Sequence, residues 1–161
     1  MRLWHKNLIE VLPREQLVAQ WRECSAIAGN IITKGTPNHI LVNKVMNYPM
    51  DHFISYSWHV RAEMTKRGYR TMDSVWNKIL QTREVDYGDF YILPLEELFP
   101  GWHNTRYLNQ CYSNLEEKYD CGGIRESDWE EIDTLVFNKL KFKSIKKGAE
   151  NTDERNYFEI N

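Results

Sequence analysis

Leu17, Trp21, Cys24 and Ala28 recur at i, i+4, i+7 and i+11 in a segment that opens at Pro13 and reaches Gly29. That spacing lays four apolar side chains along one stripe of an α-helix, with a proline in the first turn and a glycine where a helix would stop. A stripe of this kind must be covered by other apolar surface, and the chain goes on to supply more helices. Thr36-Pro37 predicts a helix carrying Ile40, Leu41, Lys44 and Val45 that ends before Pro49. Asp51 can cap a longer helix to about Arg67, closed by Gly68, and Asp73 opens a shorter one through Val75, Trp76, Ile79 and Leu80. Residues 83–103 are irregular, with Gly88, Pro94, Pro100 and Gly101; Tyr91-Ile92-Leu93 could be extended but has no obvious partner strand. Asn104 restarts helix with Leu108, Cys111, Tyr112 and Leu115 on one face, stopping at Gly122-Gly123. Ser127-x-x-Glu130 is a capping box ahead of Trp129, Ile132, Leu135, Val136 and Leu140. The expectation is an all-α protein: one compact domain of five or six helices over residues 1–145, then a polar tail at 146–161.

With 161 residues, 42% hydrophobic and 27% charged, the chain has the composition of one globular domain. It has no apolar run of the ~18–20 residues that a membrane span needs, and Met1 to Lys6 lacks a secretory core. A cytoplasmic, nucleoid-associated or otherwise intracellular monomer is expected. Residues 1–70 hold ten Lys or Arg against five Asp or Glu, whereas residues 71–161 hold eleven against eighteen. A basic half can present a positive face to a polyanion; on charge alone, solvated helices are the simpler reading.

Phosphate-binding glycine loops, nucleophile elbows and H-E-x-x-H are all missing. His52 and His59 can share a helix face with Ser55 and Tyr56, but without a third ligand a polar, partly buried face is expected rather than a metal site. Cys24, Cys111 and Cys121 are odd in number without a C-x-x-C pair, which predicts buried free thiols. Helical geometry groups Gln16, Ala19, Gln20 and Glu23 away from the Leu17/Trp21/Cys24 stripe. From spacing alone Glu23 is an ordinary solvated carboxylate.

Met1-Arg2-Leu3-Trp4-His5, Leu12-Pro13-Arg14-Glu15-Gln16-Leu17 and Trp21-Arg22-Glu23-Cys24 resemble the phage endonuclease V type of pyrimidine-dimer DNA glycosylases and their small bacterial relatives. Glu63-Met64-x-Lys66-Arg67-Gly68-Tyr69 is similar to the end of that family's middle helix. The likeness is clearest over residues 1–70; Tyr107 to Ile124 is similar to the bacterial relatives. The resemblance implies an endonuclease V-like fold and a repair glycosylase that is also an abasic-site (AP) lyase, acting on double-stranded damaged or abasic DNA without a cofactor. It further implies that the Met1 α-amine is the nucleophile, Arg2 the arginine that follows it, Glu23 the acid–base partner and Arg22 a DNA contact. Arg2, Gln16, Arg22 and Lys34 are the expected DNA-binding residues, with Lys44, Arg61, Lys66, Arg67 and Arg70 behind them.

The chemistry is sound on general grounds. An α-amine with a pKa of about 7.7–8.0 is roughly 10–15% free at pH 7, against about 0.04% for a lysine. It can attack C1′ of a deoxyribose, expel the base and leave an imine that acidifies the C2′ proton; a carboxylate can then move protons. Methionine removal requires a small second residue, so Met1 is expected to be retained ahead of Arg2. Gln16 and Ala26 stand where phage members have histidine and arginine, and the aromatic-rich C-terminus of those members has no clear counterpart, although Trp102, Tyr107 and Tyr112 are available for that task or for the core. Two other readings stay open: a non-catalytic DNA-binding protein of the same fold, and a helical protein-interaction module using the acidic half.

Overall fold

The computed structural model describes residues 1–83 and 91–146, with side chains to residue 139. Five α-helices are present among them: α1 (Arg14–Lys34), α2 (Met50–Lys66), α3 (Asp73–Leu80), α4 (Thr105–Asp120) and α5 (Glu126–Lys146). Short 3-10 helices run over Lys6–Val11, Asn43–Asn47 and Leu95–Glu97, and no strand occurs among the described residues. The all-α expectation holds.

Helix α1 packs on α2 and α3, α4 packs on α5, and the Lys6–Val11 turn touches both α2 and α5. One continuous core results, with Leu17, Cys24 and Ile27 of α1, Phe53, Ile54 and Tyr56 of α2, Ile79 of α3, and Cys111 and Leu115 of α4 all without solvent exposure. Leu3, Leu8 and Leu12 are as deeply buried. The first twelve residues are therefore a central component of the core.

Several helix boundaries differ from the sequence expectation. α1 runs through Gly29 and ends at Gly35, which adopts φ 74° and donates its N–H to the Ile31 carbonyl. An interior glycine costs only about 1 kcal/mol, less than is gained by burying Ile27, Ala28 and Ile31 beyond it. The helix expected after Thr36-Pro37 does not form. Thr36 Oγ1 accepts the Asn38 N–H at 2.8 Å, Asn43 Oδ1 accepts the His39 N–H at 3.0 Å, and Asn38 takes φ 57°. These local side-chain bonds compete with the helical ladder, so only Asn43–Asn47 coils. Asp51 lies in the first turn of α2 rather than capping it, and α5 begins at Glu126, which puts Ser127 inside the helix instead of at a cap. Asn104 does cap α4, accepting the Tyr107 N–H at 2.9 Å. Of the three cysteines, Cys24 and Cys111 are buried but Cys121 is exposed. The expected tail lies outside the described residues except for its first position, Lys146, the last residue of α5.

Candidate active site

Residues 2–4 form an uncoiled segment wedged between α1 and α2 on one side and α4 on the other. In an extended chain the backbone groups of residues i and i+2 point the same way, and those of i+1 point oppositely. The contacts follow that alternation. The Arg2 N–H donates to Glu23 Oε2 at 3.0 Å, the Arg2 carbonyl accepts from Gln20 Nε2 at 2.8 Å, and the Trp4 N–H donates to Gln20 Oε1 at 2.8 Å. The Trp4 carbonyl accepts from the Tyr56 hydroxyl at 2.6 Å. On the opposite side the Leu3 carbonyl accepts from the Tyr107 hydroxyl of α4. The Gln20 carboxamide thus behaves as a neighbouring peptide would, and nothing is left unsatisfied in a dry environment.

Glu23 is half-buried at the end of this ladder, and Met1 emerges at 36% exposure. Two bonds beyond the Arg2 nitrogen the chain reaches Met1 Cα, and the α-amine follows, so the amine can lie no further than about 7 Å from the Glu23 oxygen. No ion pair joins them among the described residues. The arrangement leaves an exposed amine and a carboxylate separated by room for a reacting carbon. The Arg2 guanidinium stacks on the Trp4 ring at 5.4 Å and lies 4.0 Å from Cys111 Sγ, directed at α4.

Competing nucleophiles are disarmed by burial. Desolvation pushes the Cys24 thiol up to about 12 and raises Cys111 as well, keeping both protonated. Burial lowers the pKa of Lys6, but its Nζ is spent on the Leu98 and Glu96 carbonyls at 2.6 and 3.0 Å, inside the fold.

The expected DNA contacts divide. Arg22 is exposed and, with half-buried Gln16, lines a cleft of about 440 Å³ that also holds Arg14, Arg125, Asp128 and Gly123. Gln16 Oε1 is buried there without a partner among the described residues. Lys34 is exposed in the last turn of α1, about three turns and about 16 Å beyond Glu23 on the same helical face. Lys44, Lys66 and Arg70 are exposed. Arg61 is engaged by Asp73 at 2.6 Å, and Arg67 by Glu63 at 2.8 Å and the Leu12 and Glu10 carbonyls at 2.7 and 3.0 Å; those two arginines are structural ties. The largest groove, about 970 Å³, is lined by Glu10, Glu130 and Glu131 with Lys139, the wrong sign for a polyanion. Trp102 and Tyr107 are buried core residues. His52 Nδ1 accepts the Phe99 N–H at 3.1 Å and His59 Nε2 meets the Leu93 carbonyl at 2.9 Å, fixing the loop after residue 90 to α2. Leu93 also donates its N–H to Ser55 Oγ, so Tyr91-Ile92-Leu93 is held by side chains instead of by a strand.

Gln20, Tyr56 and Tyr107 were not legible as site residues from the face grouping. Gln20 is fully buried, contrary to its assignment with Gln16 and Glu23 to an outer face. The signal was present in its spacing, i+3 from Leu17 and i−4 from Cys24, which is inside the apolar stripe. A glutamine there has to be satisfied by something, and the N-terminal backbone is what satisfies it.

Among known families the chain has one counterpart of this kind. Residues 1–77 match the family model of pyrimidine dimer DNA glycosylase, which takes in Arg2, Gln16, Gln20, Arg22, Glu23, Lys34 and Tyr56. This is a family of DNA-repair glycosylases; the resemblance seen in the N-terminal motifs is shown over that stretch, and the all-helical fold is consistent with it. No curated protein and no solved structure matches the chain. No helix among the described residues is long and apolar enough to cross a membrane.

Proposed function

We propose that this protein is a DNA glycosylase with AP lyase activity, acting on double-stranded damaged or abasic DNA through the α-amine of Met1 and the carboxylate of Glu23. The observation that carries the reading is the 3.0 Å hydrogen bond from the Arg2 N–H to Glu23 Oε2, which ties the chain end to that carboxylate. Family membership of residues 1–77 supports the substrate class, pyrimidine dimers included.

In this reading the amine attacks C1′, the C1′–N bond breaks, and the base leaves with its electron pair and a proton. Opening of C1′–O4′ gives an iminium joined to Met1, with Glu23 delivering the proton to O4′. The iminium acidifies C2′; Glu23 removes that proton, and the C3′–O bond breaks as the 3′-side strand departs with its phosphate. Water then hydrolyses the imine, returning the amine and releasing an unsaturated aldehyde. Arg22, Gln16, Arg2 and Lys34 bind the strand, phosphate contacts fixing its position, and the protein works as a monomer in the compartment that holds the DNA.

Borohydride reduction on abasic duplex DNA tests the reading. A covalent protein–DNA adduct is expected, and it should vanish when residues are added ahead of Met1. Glu23→Gln should stop strand cleavage while leaving binding to damaged DNA largely intact. Salt-sensitive DNA binding without an adduct in the unmodified protein would instead support the non-catalytic reading.

A further inference from the structure

The turn between α1 and the Asn43–Asn47 coil carries an apolar tip that the fold holds out into solvent. Ile40 is 85% exposed and Leu41 49%, whereas Val42 beside them is fully buried. Aliphatic residues placed so far out are usually on slack loops, but this one is braced at every position. Asn30 Nδ2 donates to the Pro37 carbonyl at 2.9 Å, Thr36 Oγ1 and Asn43 Oδ1 accept the Asn38 and His39 N–H groups, and His39 Nδ1 accepts the Leu41 N–H at 3.2 Å. Asn38 is held at φ 57°, a conformation that costs free energy unless its surroundings impose it.

The location ties this tip to the candidate site. Asn30, which holds the turn, is seven residues past Glu23 on the same face of α1, about 10 Å along the axis, or about three base steps of duplex at 3.4 Å each. Between the tip and α4 lies a cleft of about 290 Å³ lined by Ile40, Leu41, Lys44, Trp102, Arg106 and Tyr107. Tyr107 is the residue that holds the Leu3 carbonyl, so the cleft borders the N-terminal segment directly. Lys34, Lys44 and Arg106 are exposed around the apolar pair, giving an apolar point set among cations. That chemistry suits a duplex, whose phosphates meet the cations while its stacked bases admit an aliphatic wedge.

We propose that the Ile40–Leu41 tip is a wedge that enters the base stack beside the sugar held at Met1 and Glu23, opening the duplex so that C1′ can reach the amine. The proposal rests on the DNA-repair reading of the site. It assigns the tip to unstacking, which costs a few kcal/mol in a duplex and nothing in a single strand. The Ile40→Ser/Leu41→Ser variant should therefore lose function on duplex DNA alone.

The test uses the full chain, an abasic duplex with 2-aminopurine opposite the abasic site, and the corresponding abasic single strand. Wild-type protein should brighten 2-aminopurine on binding the duplex. The double variant should not, and its rate of borohydride trapping on duplex should drop about tenfold or more with single-strand trapping unchanged. Ile40→Phe, which keeps an apolar wedge, should restore the brightening. Equal brightening by wild type and double variant overturns the proposal, as does loss of trapping on both substrates, which would give the tip another task, such as holding a protein partner. Brightening without any trapped adduct in wild type would uphold the wedge and remove the lyase chemistry instead.

Discussion

Gln20 holds Arg2 by its carbonyl at 2.8 Å and lies fully buried between the N-terminal segment and Tyr56 of α2. Its other carboxamide atom takes the Trp4 N–H, so one side chain sets both the direction and the depth of the chain end. Glu23, one helical turn further along α1, then meets the Arg2 N–H. The position of the chain end relative to the carboxylate is thus decided by a residue that takes no part in the proposed chemistry.

Gln20→Met tests that relationship. The substitution keeps the length of the side chain but abandons the Arg2 carbonyl and the Trp4 N–H in a dry site, at about 1–3 kcal/mol for each group. Urea unfolding should show a loss of about 2–5 kcal/mol. Adduct formation on abasic DNA should fall by more than the folded fraction accounts for, because Met1 is no longer registered against Glu23. A variant of wild-type stability would mean that the buried carboxamide is not what holds the segment.

Acid should weaken the fold through His5 and His103, whose rings stack at 5.2 Å. Burial lowers His5 to about 4, and His103 falls well below the ordinary histidine value for the same reason. His103 Nδ1 accepts the Lys6 N–H at 3.0 Å, a bond that protonation at that nitrogen would remove. Below an unfolded pKa of about 6.5 the unfolded chain binds more protons than the folded one, so stability is full above that pH and declines as pH falls toward 4. Each histidine contributes a slope of at most about 1.4 kcal/mol per pH unit. Chemical denaturation across this range checks the sign, and His5→Gln should flatten the slope.

Arg22 and Arg67 should separate cleanly in DNA titrations. Arg22 is exposed on the cleft wall beside Gln16, whereas Arg67 is tied to Glu63 and to two carbonyls of the N-terminal turn. Arg22→Ala should reduce the slope of log K against log salt by about one and weaken binding to all sequences alike. Arg67→Ala should leave that slope unchanged and lower the melting temperature. Filter binding at several salt concentrations, alongside thermal unfolding, distinguishes the two.

Much of this organisation is legible in the sequence because helix periodicity and terminal signals are local. The Leu17/Trp21/Cys24 stripe, the Asn104 cap and the glycine after α2 all mean in the fold what they mean in the chain. What is not legible depends on distant partners. Gly29 is a stop signal only until the packing of Ile27 and Ile31 outweighs it. Thr36-Pro37 reads as a helix start until Asn38, Asn43 and His39 bond locally instead. Glu23 could be found from its motif, but nothing local shows that Gln20, Tyr56 and Tyr107 converge on residues 2–4, because that convergence joins positions up to 104 apart.

Peptide mapping of the borohydride-reduced complex interrogates the chain end itself. After digestion of protein and DNA, mass spectrometry should find the reduced sugar remnant on the α-nitrogen of the peptide beginning at Met1, and the remnant should be lost on Glu23→Gln if Glu23 assists ring opening. A remnant on a lysine Nζ, or an unmodified Met1 peptide in a complex that still cleaves abasic DNA, would contradict the account.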